Sequence, residues 1–335
     1  MGRRWWWLLL LGPSWLLFAP LWIAWGLGQY HGDQTAKWEP FFHLPAPLVL
    51  CGGAAILAIS RLARARRSLL LAILLLIWPL EHVLCVDNHW RQQVPNASWS
   101  ANSKLRVLHW NMWHGEGGWE PILHTLEREQ PDILILAEYG GRNGSETQTF
   151  LSKLSDRHRD WSGKRPQFHL TGSLLVCSRL RIDRAETVTL PLTEGLQVDL
   201  RTEDGTELRL LALDLPSSLR GHRDPLLRRV NDLIRSFQPD LVLGDFNAVR
   251  RATQLQRLPA GYRHAYDAAG SGWSYTWPVP VPVLAIDQCL IGPEIEAIEY
   301  VLGTGPSDHR WQRLDFRPQP NEARARDRVA DPRRK

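Results

Sequence analysis

Residues 241–247 read LVLGDFN, an apolar run that is followed at once by Asp245 and Asn247. Because the apolar residues are consecutive, the run predicts a short strand with both faces covered by other layers of the protein. DILILAE at 132–138 has the same form and places Glu138 directly after its run. Similar runs predict strands at 105–113, 173–177, 208–215 and 286–291, and apolar residues at helical spacing predict helices at 119–126 and 226–237. This alternation indicates an α/β fold.

Polar side chains stand where three of these strands are predicted to end. Asn111 follows LRVLHW, Glu138 follows DILILA, and Asp245 with Asn247 follows LVLG. In α/β sheets, ligands are commonly held where strands end and loops begin, so these side chains are expected to converge. Taken singly, each is more typical of a turn or cap than of catalysis.

Two later motifs change that balance. AIDQCL places Asp287 inside an apolar strand, and GPSDHRW places Ser307, Asp308 and His309 in succession. A carboxylate buried in a strand costs several kcal/mol unless it has a partner, and His309 is a suitable one. A carboxylate that accepts a hydrogen bond from one imidazole nitrogen leaves the other nitrogen for acid–base chemistry or phosphate contact.

These five motifs, in this order, resemble those of the endonuclease/exonuclease/phosphatase superfamily. The resemblance covers about residues 104–316 and rests on HWNMW, LAEYG, GDFN, IDQCL and SDH. It implies a DNase I-like four-layer α/β/β/α sandwich, with two mixed sheets face to face and helices outside. It also implies hydrolysis of a phosphoester bond with a divalent metal, most often Mg²⁺, with Mn²⁺ as the alternative.

The resemblance also implies a role for each motif residue. Glu138 would be the main metal ligand, with Asn111 and Asp308 nearby. Asp245 and Asn247 would orient the attacking water and bind phosphoryl oxygens, and His309, held by Asp287, would contact the phosphate. The residue chemistry fits independently, because Mg²⁺ prefers oxygen ligands and the four scattered Cys form no zinc-type cluster.

One position departs from the family pattern. The strand LLALDLPSS carries Asp214 where many members have His and others Tyr. An anion there cannot donate to a phosphate oxygen unless it is protonated or bound to a metal. Three interpretations therefore stay open: Asp214 binds a second cation, the donor role is lost, or the residue serves the turn. Ala285 also replaces the basic residue that often precedes the family's Asp.

The first 90 residues have a membrane composition. Uncharged runs at 5–27, 41–59 and 69–86 predict about three transmembrane helices, although Glu81 weakens the third and an interfacial segment is the alternative. The loop RLARARR at 61–67 is basic, as are Arg3 and Arg4, so the positive-inside rule places them in the cytoplasm. Three crossings then put a linker at 91–103 and a catalytic domain at 104–316 on the extracytoplasmic side, followed by a disordered basic tail at 317–335.

Charge bears on the substrate. The net charge of +5 comes from the ends, because residues 101–316 hold 25 Lys and Arg against 28 Asp and Glu. A basic groove for nucleic acid is therefore not indicated.

We expect a membrane-anchored phosphodiesterase, nuclease-like in type, with a lipid or small-molecule phosphoesterase and a catalytically silent binding module as alternatives. The expected partners are the bilayer and a nucleic acid or phospholipid substrate, with no protein partner. The stretch GSGWSYTWP at 270–278 contains aromatic side chains that could stack on a base, contact lipid or pack in the core.

Overall fold

The computed structural model of the chain describes residues 2–90, 104–140, 144–217 and 222–319. The predicted linker at 91–103 and most of the predicted tail lie outside these residues. Two residues assigned to the tail belong instead to the last strand, because Arg317 pairs with Glu296 and Pro318 with Ile295. The helical region is taken below as residues 2–90, and the α/β region as the described residues from 104 to 319.

The helical region contains three helices that are long and apolar enough to cross a membrane. Its helices are α1 (Gly2–His31), α2 (Glu39–Phe42), α3 (Ala46–Ala63) and α4 (Arg66–Glu81), and α4 continues as a π-helical turn over His82–Asp87. The predicted second segment, 41–59, spans two elements: Phe41 and Phe42 belong to α2, and α3 starts after Pro45. The third segment is helical over Arg66–Asp87, which is long enough to span a bilayer.

Two six-stranded mixed sheets form the centre of the α/β region, as the predicted sandwich requires. The first has the order β11-β12-β1-β2-β4-β3 and the second β5-β6-β7-β8-β10-β9. The strands are β1 (Leu105–Asn111), β2 (Ile133–Ala137), β3 (Gln167–Thr171), β4 (Leu174–Ser178), β5 (Arg181–Leu190), β6 (Thr193–Arg201), β7 (Glu207–Asp214), β8 (Leu241–Asp245), β9 (Arg263–His264), β10 (Asp287–Ile291), β11 (Ile295–Gly303) and β12 (Trp311–Pro318).

Helices cover the outer face of each sheet. They are α5 (Trp119–Glu129), α6 (Gly144–Ser162), α7 (Arg223–Phe237) and α8 (Thr253–Gln256), whereas the short α9 (Ala265–Ala269) packs against the core between the sheets. One apolar cluster, with Val107, Ile135 and Leu243, lies between the sheets. A second packs α5 and α6 on the first sheet, and a third packs α7 and α8 on the other. Burial on both faces explains the consecutive apolar residues of β2 and β8. The four layers are therefore α/β/β/α.

Strand direction brings several polar residues to one edge of both sheets. β1 and β2 run parallel, with Asn111 opposite Ala137, so Glu138 follows at the same level. β7 and β8 also run parallel and end together at Asp214 and Asp245. The antiparallel β10 begins at this level, with Asp287 opposite Asp245. We call this side of the sandwich the site edge.

The helical region packs on the α/β region through buried polar contacts. Asp33, after α1, accepts hydrogen bonds from the backbone N and the hydroxyl of Thr253 at 3.1 and 2.5 Å. Asp87, at the end of the third long helix, accepts a hydrogen bond from the Tyr275 hydroxyl at 2.8 Å and pairs with Arg251 at 3.3 Å. These contacts fix the loop after α1 and the end of the third helix on the same side of the helical bundle.

Candidate active site

Three aspartates lie side by side at the site edge. Asp214, Asp245 and Asp287 occupy neighbouring strands of the second sheet at the same level of the register. Asp245 and Asp287 are buried. The parallel strands β7 and β8 place their carboxyl ends together and the antiparallel β10 begins beside them, which is why residues that are far apart in sequence meet here.

Asn111 joins the two sheets at this edge. Its side-chain Nδ2 donates to Glu138 Oε1 at 3.1 Å and to Asp245 Oδ2 at 3.0 Å. Its Oδ1 accepts a hydrogen bond from the backbone N of Trp113 at 3.0 Å. The amide therefore holds two carboxylates from opposite sheets within one pocket.

His309 and Asp287 form the predicted pair. His309 Nδ1 lies 2.9 Å from Asp287 Oδ2, and His309 Nε2 lies 3.8 Å from Asp245 Oδ2. Burial alone would lower the pKa of His309, but the charge and hydrogen bond of Asp287, with Asp245 and Asp308, raise that pKa to about 10. Burial instead lowers the pKa of the neighbouring His109 to about 4. His309 is therefore the imidazole that carries the positive charge beside Asp287.

The position of Asp308 is set by contacts of the SDH motif with β1 and with Trp277. The Ser307 hydroxyl donates to the backbone O of Asn111 at 2.7 Å and accepts a hydrogen bond from the backbone N of His309 at 3.1 Å. Asp308 Oδ2 accepts a hydrogen bond from Trp277 Nε1 at 3.2 Å. Ser307 thus fixes the motif against β1, and Trp277 orients the Asp308 carboxylate.

Two residues of the site have a left-handed backbone. Glu138 has a φ of 50° and Asn247 a φ of 47°, a conformation that is uncommon for residues other than glycine. Asn247 is held there by its backbone N, which donates to Asp245 Oδ1 at 2.8 Å, and by its side-chain Nδ2, which donates to the backbone O of Leu215 at 2.8 Å. Such backbone is concentrated at functional sites.

Asp214 contacts a residue that the sequence motifs do not mark. The Ser173 hydroxyl donates to Asp214 Oδ2, and the backbone O of Asp214 accepts a hydrogen bond from the Thr193 hydroxyl at 2.7 Å. Burial raises the pKa of Asp214 to about 6, assisted by the charges of Glu138 and Asp287, although Ser173 and His309 oppose the shift. About half of the Asp214 side chains are therefore protonated at pH 6 and about a tenth at pH 7, and the protonated form can donate a hydrogen bond.

The concentration of carboxylates suits a divalent cation. Burial, followed by the charge of Asp287, raises the pKa of Asp245 well above its ordinary value. Asp245, Asp287 and His309 bring potential ligand atoms within 4.8 Å of one another, and Glu138 joins them through Asn111. The donors are mostly oxygen, as Mg²⁺ and Mn²⁺ prefer. Since His309 Nδ1 is already bonded to Asp287, the partly exposed Glu138 carboxylate fits a cation better than this compact triad.

The family assignment rests on a match over most of the α/β region. The sequence model of the Endonuclease/Exonuclease/phosphatase family matches residues 108–309, which contain every residue of the site. The chain belongs to this family. It is therefore a metal-dependent phosphoric ester hydrolase by family, and the predicted superfamily and fold are confirmed. No match was found among curated proteins.

Solved structures agree on the fold. The crystal structure of a humanized D. rerio TDP2 with 14 mutations has a TM-score of 0.52 and 19% identity, and the match covers 64% of this chain and 99% of that chain. A functionally unknown conserved protein from Enterococcus faecalis V583 has a TM-score of 0.50 and 11% identity, covering 64% of this chain and 100% of that one. At such identities these likenesses establish the fold alone.

Three residues near the site have no sequence motif of their own. Ser173 contacts Asp214, and the Thr276 hydroxyl accepts a hydrogen bond from the backbone N of Asp287 at 3.2 Å. His114 Nε2 lies 3.2 Å from Glu138 Oε2. Within the aromatic stretch 270–278, Tyr275 is buried and packs inside the protein, whereas Trp273 is exposed. In the sequence, only their positions could have marked two of these residues as close to the site: Thr276 lies in the aromatic stretch, and His114 directly follows HWNMW.

Proposed function

We propose that the chain is a membrane-anchored phosphodiesterase that depends on a divalent cation. The helical region is the anchor, and residues 104–316 form the catalytic domain. The observation that carries the proposal is the series of hydrogen bonds and one ion pair that links Glu138, Asn111, Asp245, His309 and Asp287, because it unites residues from both sheets in one acidic pocket. The presence of this series argues against a catalytically silent binding module.

We assign the cation to Glu138, Asn111 and Asp308. The Glu138 side chain is 30% exposed and reaches solvent beside the buried carboxylates, so an ion can enter there. Mg²⁺ is the expected ion and Mn²⁺ the alternative, since carboxylate and amide oxygens suit both. When bound, such a cation supplies Lewis-acid stabilisation of charge on phosphoryl oxygens.

Asp245 and His309 are assigned to proton transfer and charge stabilisation. The raised pKa of Asp245 makes its carboxylate a better acceptor for the proton of an attacking water. Asn247 holds the Asp245 carboxylate in place through its backbone N. His309 remains protonated at neutral pH, so its Nε2–H can donate to a phosphoryl oxygen or to the leaving oxygen. Asp287 positions His309 and compensates its charge.

The orientation in the membrane follows from the basic loop between α3 and α4. Four arginines lie at the end of α3, in the turn after it and at the start of α4, opposite to the end of the bundle that contacts the α/β region: Arg61, Arg64, Arg66 and Arg67. The positive-inside rule then places the catalytic domain outside the cytoplasm. Reporters fused after Lys335 test this orientation: an alkaline phosphatase fusion should be active, whereas activity of a cytoplasm-dependent reporter alone would contradict it.

The test of the activity uses the full chain purified in detergent. Bis(p-nitrophenyl) phosphate should be hydrolysed with Mg²⁺ or Mn²⁺ and not with EDTA. His309→Ala should lose about 10²- to 10⁴-fold in turnover, the range of general acid–base catalysis. His124→Ala is the matched control, because the His124 side chain is 67% exposed on α5, and this variant should keep full turnover. Turnover that persists in EDTA, or that survives in His309→Ala, would contradict the proposal.

A further inference from the structure

Five large apolar side chains are exposed in the described α/β region. They are Trp113, Leu170, Leu192, Trp273 and Val281, with exposed fractions from 41% to 88%. We call these five residues the apolar rim. Exposed apolar residues that stand singly need no explanation, but a group on one face marks a contact surface.

Register places the first three members of the rim at the site edge. Trp113 comes two residues after Asn111, at the end of β1. Leu170 is the penultimate residue of β3, whose end pairs with the start of β4 at the level of Ala137. Leu192 lies in the turn before Thr193, and the Thr193 hydroxyl bonds to the backbone of Asp214.

The other two members belong to the segment that enters β10. Val281 lies at the tip of the loop WPVPVPVL at 277–284, which contains no polar side chain. The loop is closed by backbone hydrogen bonds between Trp277 and Leu284, and Val279 N donates to the backbone O of Asp308 at 2.7 Å. The backbone O of Trp273 accepts a hydrogen bond from Arg310, the residue after His309. An apolar loop therefore stands directly beside the acidic pocket.

The anchor contacts the same edge. The third long helix ends at Asp87, which holds Tyr275, two residues before the apolar loop begins. The exposed rings of Trp90 and Trp273 meet edge to face, with centroids 5.3 Å apart. Trp90 Nε1 donates to the backbone O of Leu84 in the last turn of that helix. Tryptophan is enriched at membrane interfaces, so this pair indicates where the headgroup level lies.

We propose that the site edge faces the bilayer and that the substrate is a phosphodiester in a lipid headgroup. This inference rests on the proposed function and names its substrate class. The apolar rim would contact the interfacial region of the bilayer, and the pocket would receive the headgroup phosphate. The charge balance of residues 101–316, near −3, favours this substrate over a nucleic acid, which requires a cationic surface along its backbone.

The reaction is hydrolysis without a further co-reactant. The oxygen of one water adds to phosphorus, one P–O ester bond breaks, and the leaving oxygen takes up a proton. A phosphodiester and water give a phosphomonoester and an alcohol. One of these two products retains the acyl chains and stays in the bilayer.

The experiment compares two substrates for the full chain in the presence of Mg²⁺. One is a phospholipid in proteoliposomes of phosphatidylethanolamine and phosphatidylglycerol, and the other is soluble bis(p-nitrophenyl) phosphate. Val281→Asp and Leu192→Asp should lower the ratio of lipid to soluble turnover at least ten-fold, because a charge at the rim opposes contact with the bilayer. Ala260→Asp is the matched control, since Ala260 is exposed near Arg263, which pairs with Ile291 at the opposite edge.

The outcomes separate the two proposals. An unchanged ratio in both rim variants would overturn the lipid inference. Cleavage of oligonucleotides but not of phospholipid by the wild-type chain would also overturn it, in favour of a nuclease, and would leave the phosphodiesterase proposal standing. No metal-dependent turnover of the soluble ester would overturn the proposed function itself.

A second measurement does not depend on activity. In a chain with Cys51→Ser and Cys85→Ser, which removes the exposed thiols of the helical region, Val281→Cys is labelled with an environment-sensitive dye. Transfer from detergent to proteoliposomes that contain a lipid quencher should quench the label at position 281. The same label at Ala260→Cys should not be quenched. Equal quenching at the two positions would contradict a bilayer-facing site edge.

Discussion

Replacing Asp214 with Asn should stabilise the folded chain above about pH 6 and leave its stability unchanged near pH 4. Burial raises the pKa of Asp214 from 3.8 to about 6, and the charges of Glu138 and Asp287 add to the shift. The charged form is therefore disfavoured in the folded state. Asn has the same size, carries no charge and accepts the Ser173 hydrogen bond through its amide oxygen.

The magnitude follows from the pKa difference between the folded and unfolded states. A shift of one pKa unit corresponds to about 1.4 kcal/mol, so the shift at Asp214 corresponds to about 3 kcal/mol. Because the folded-state pKa is raised, stability is fully present below pH 3.8 and is lost as the pH rises through about 6. The Asn variant does not titrate and escapes this loss. The advantage of the variant should therefore grow from near zero at pH 4 to at most about 3 kcal/mol at pH 7.

The assay is urea unfolding of the full chain in detergent, followed by near-UV circular dichroism across this pH range. EDTA is present throughout, because a bound divalent cation would itself stabilise the charged carboxylate. Asp160→Asn is the matched control: Asp160 is exposed on α6, and its replacement should give no pH-dependent gain. A difference between Asp214→Asn and wild type that is the same at pH 4 and pH 7 would refute this account.

Three further predictions concern the contact between the helical and α/β regions, the stability of the fold at acid pH, and metal binding. Tyr275→Phe removes the hydrogen bond to buried Asp87 and should lower the free energy of unfolding by about 1–3 kcal/mol in urea titrations, whereas Tyr30→Phe, at an exposed tyrosine, should change nothing. Burial lowers the pKa of His264 to about 4, so stability present above pH 6.5 should fall by up to about 3 kcal/mol as the pH drops toward 4, and unfolding of His264→Gln should lack this loss. Mg²⁺ at about 100 times its Kd should stabilise the folded chain by about 2.7 kcal/mol in thermal unfolding, and an equal shift in Glu138→Gln would contradict the ligand assignment.

The buried strands were the most predictable part of the fold. The run at 133–137 coincides with β2, the run at 173–177 is shifted by one residue from β4, and the run at 286–291 begins one residue before β10. These strands are apolar at nearly every position because both faces are covered. β5 escaped prediction because it is an edge strand with most of its side chains exposed, so RIDRAETVTL shows no such run.

The motif residues of the site could be named from the sequence, while their roles remain proposals. Asn111, Glu138, Asp245, Asp287 and His309 meet in one pocket, as the resemblance implied. The motifs could not show that the pKa of Asp214 is raised to about 6. Its pKa depends on burial and on carboxylates from other strands, and neither is a local property of the chain.

Local chemistry along the chain was enough to specify the three long apolar helices, the covered strands and the identity of the pocket residues. Hydropathy, apolar runs and short motifs are properties of neighbouring residues, so they can be recognised in the sequence without the tertiary structure. The apolar rim is different, because Trp113, Leu192 and Val281 are separate residues in three distant loops. Strand direction and register bring those loops to the site edge, and the contact of Asp87 with Tyr275 sets that edge against the helical region.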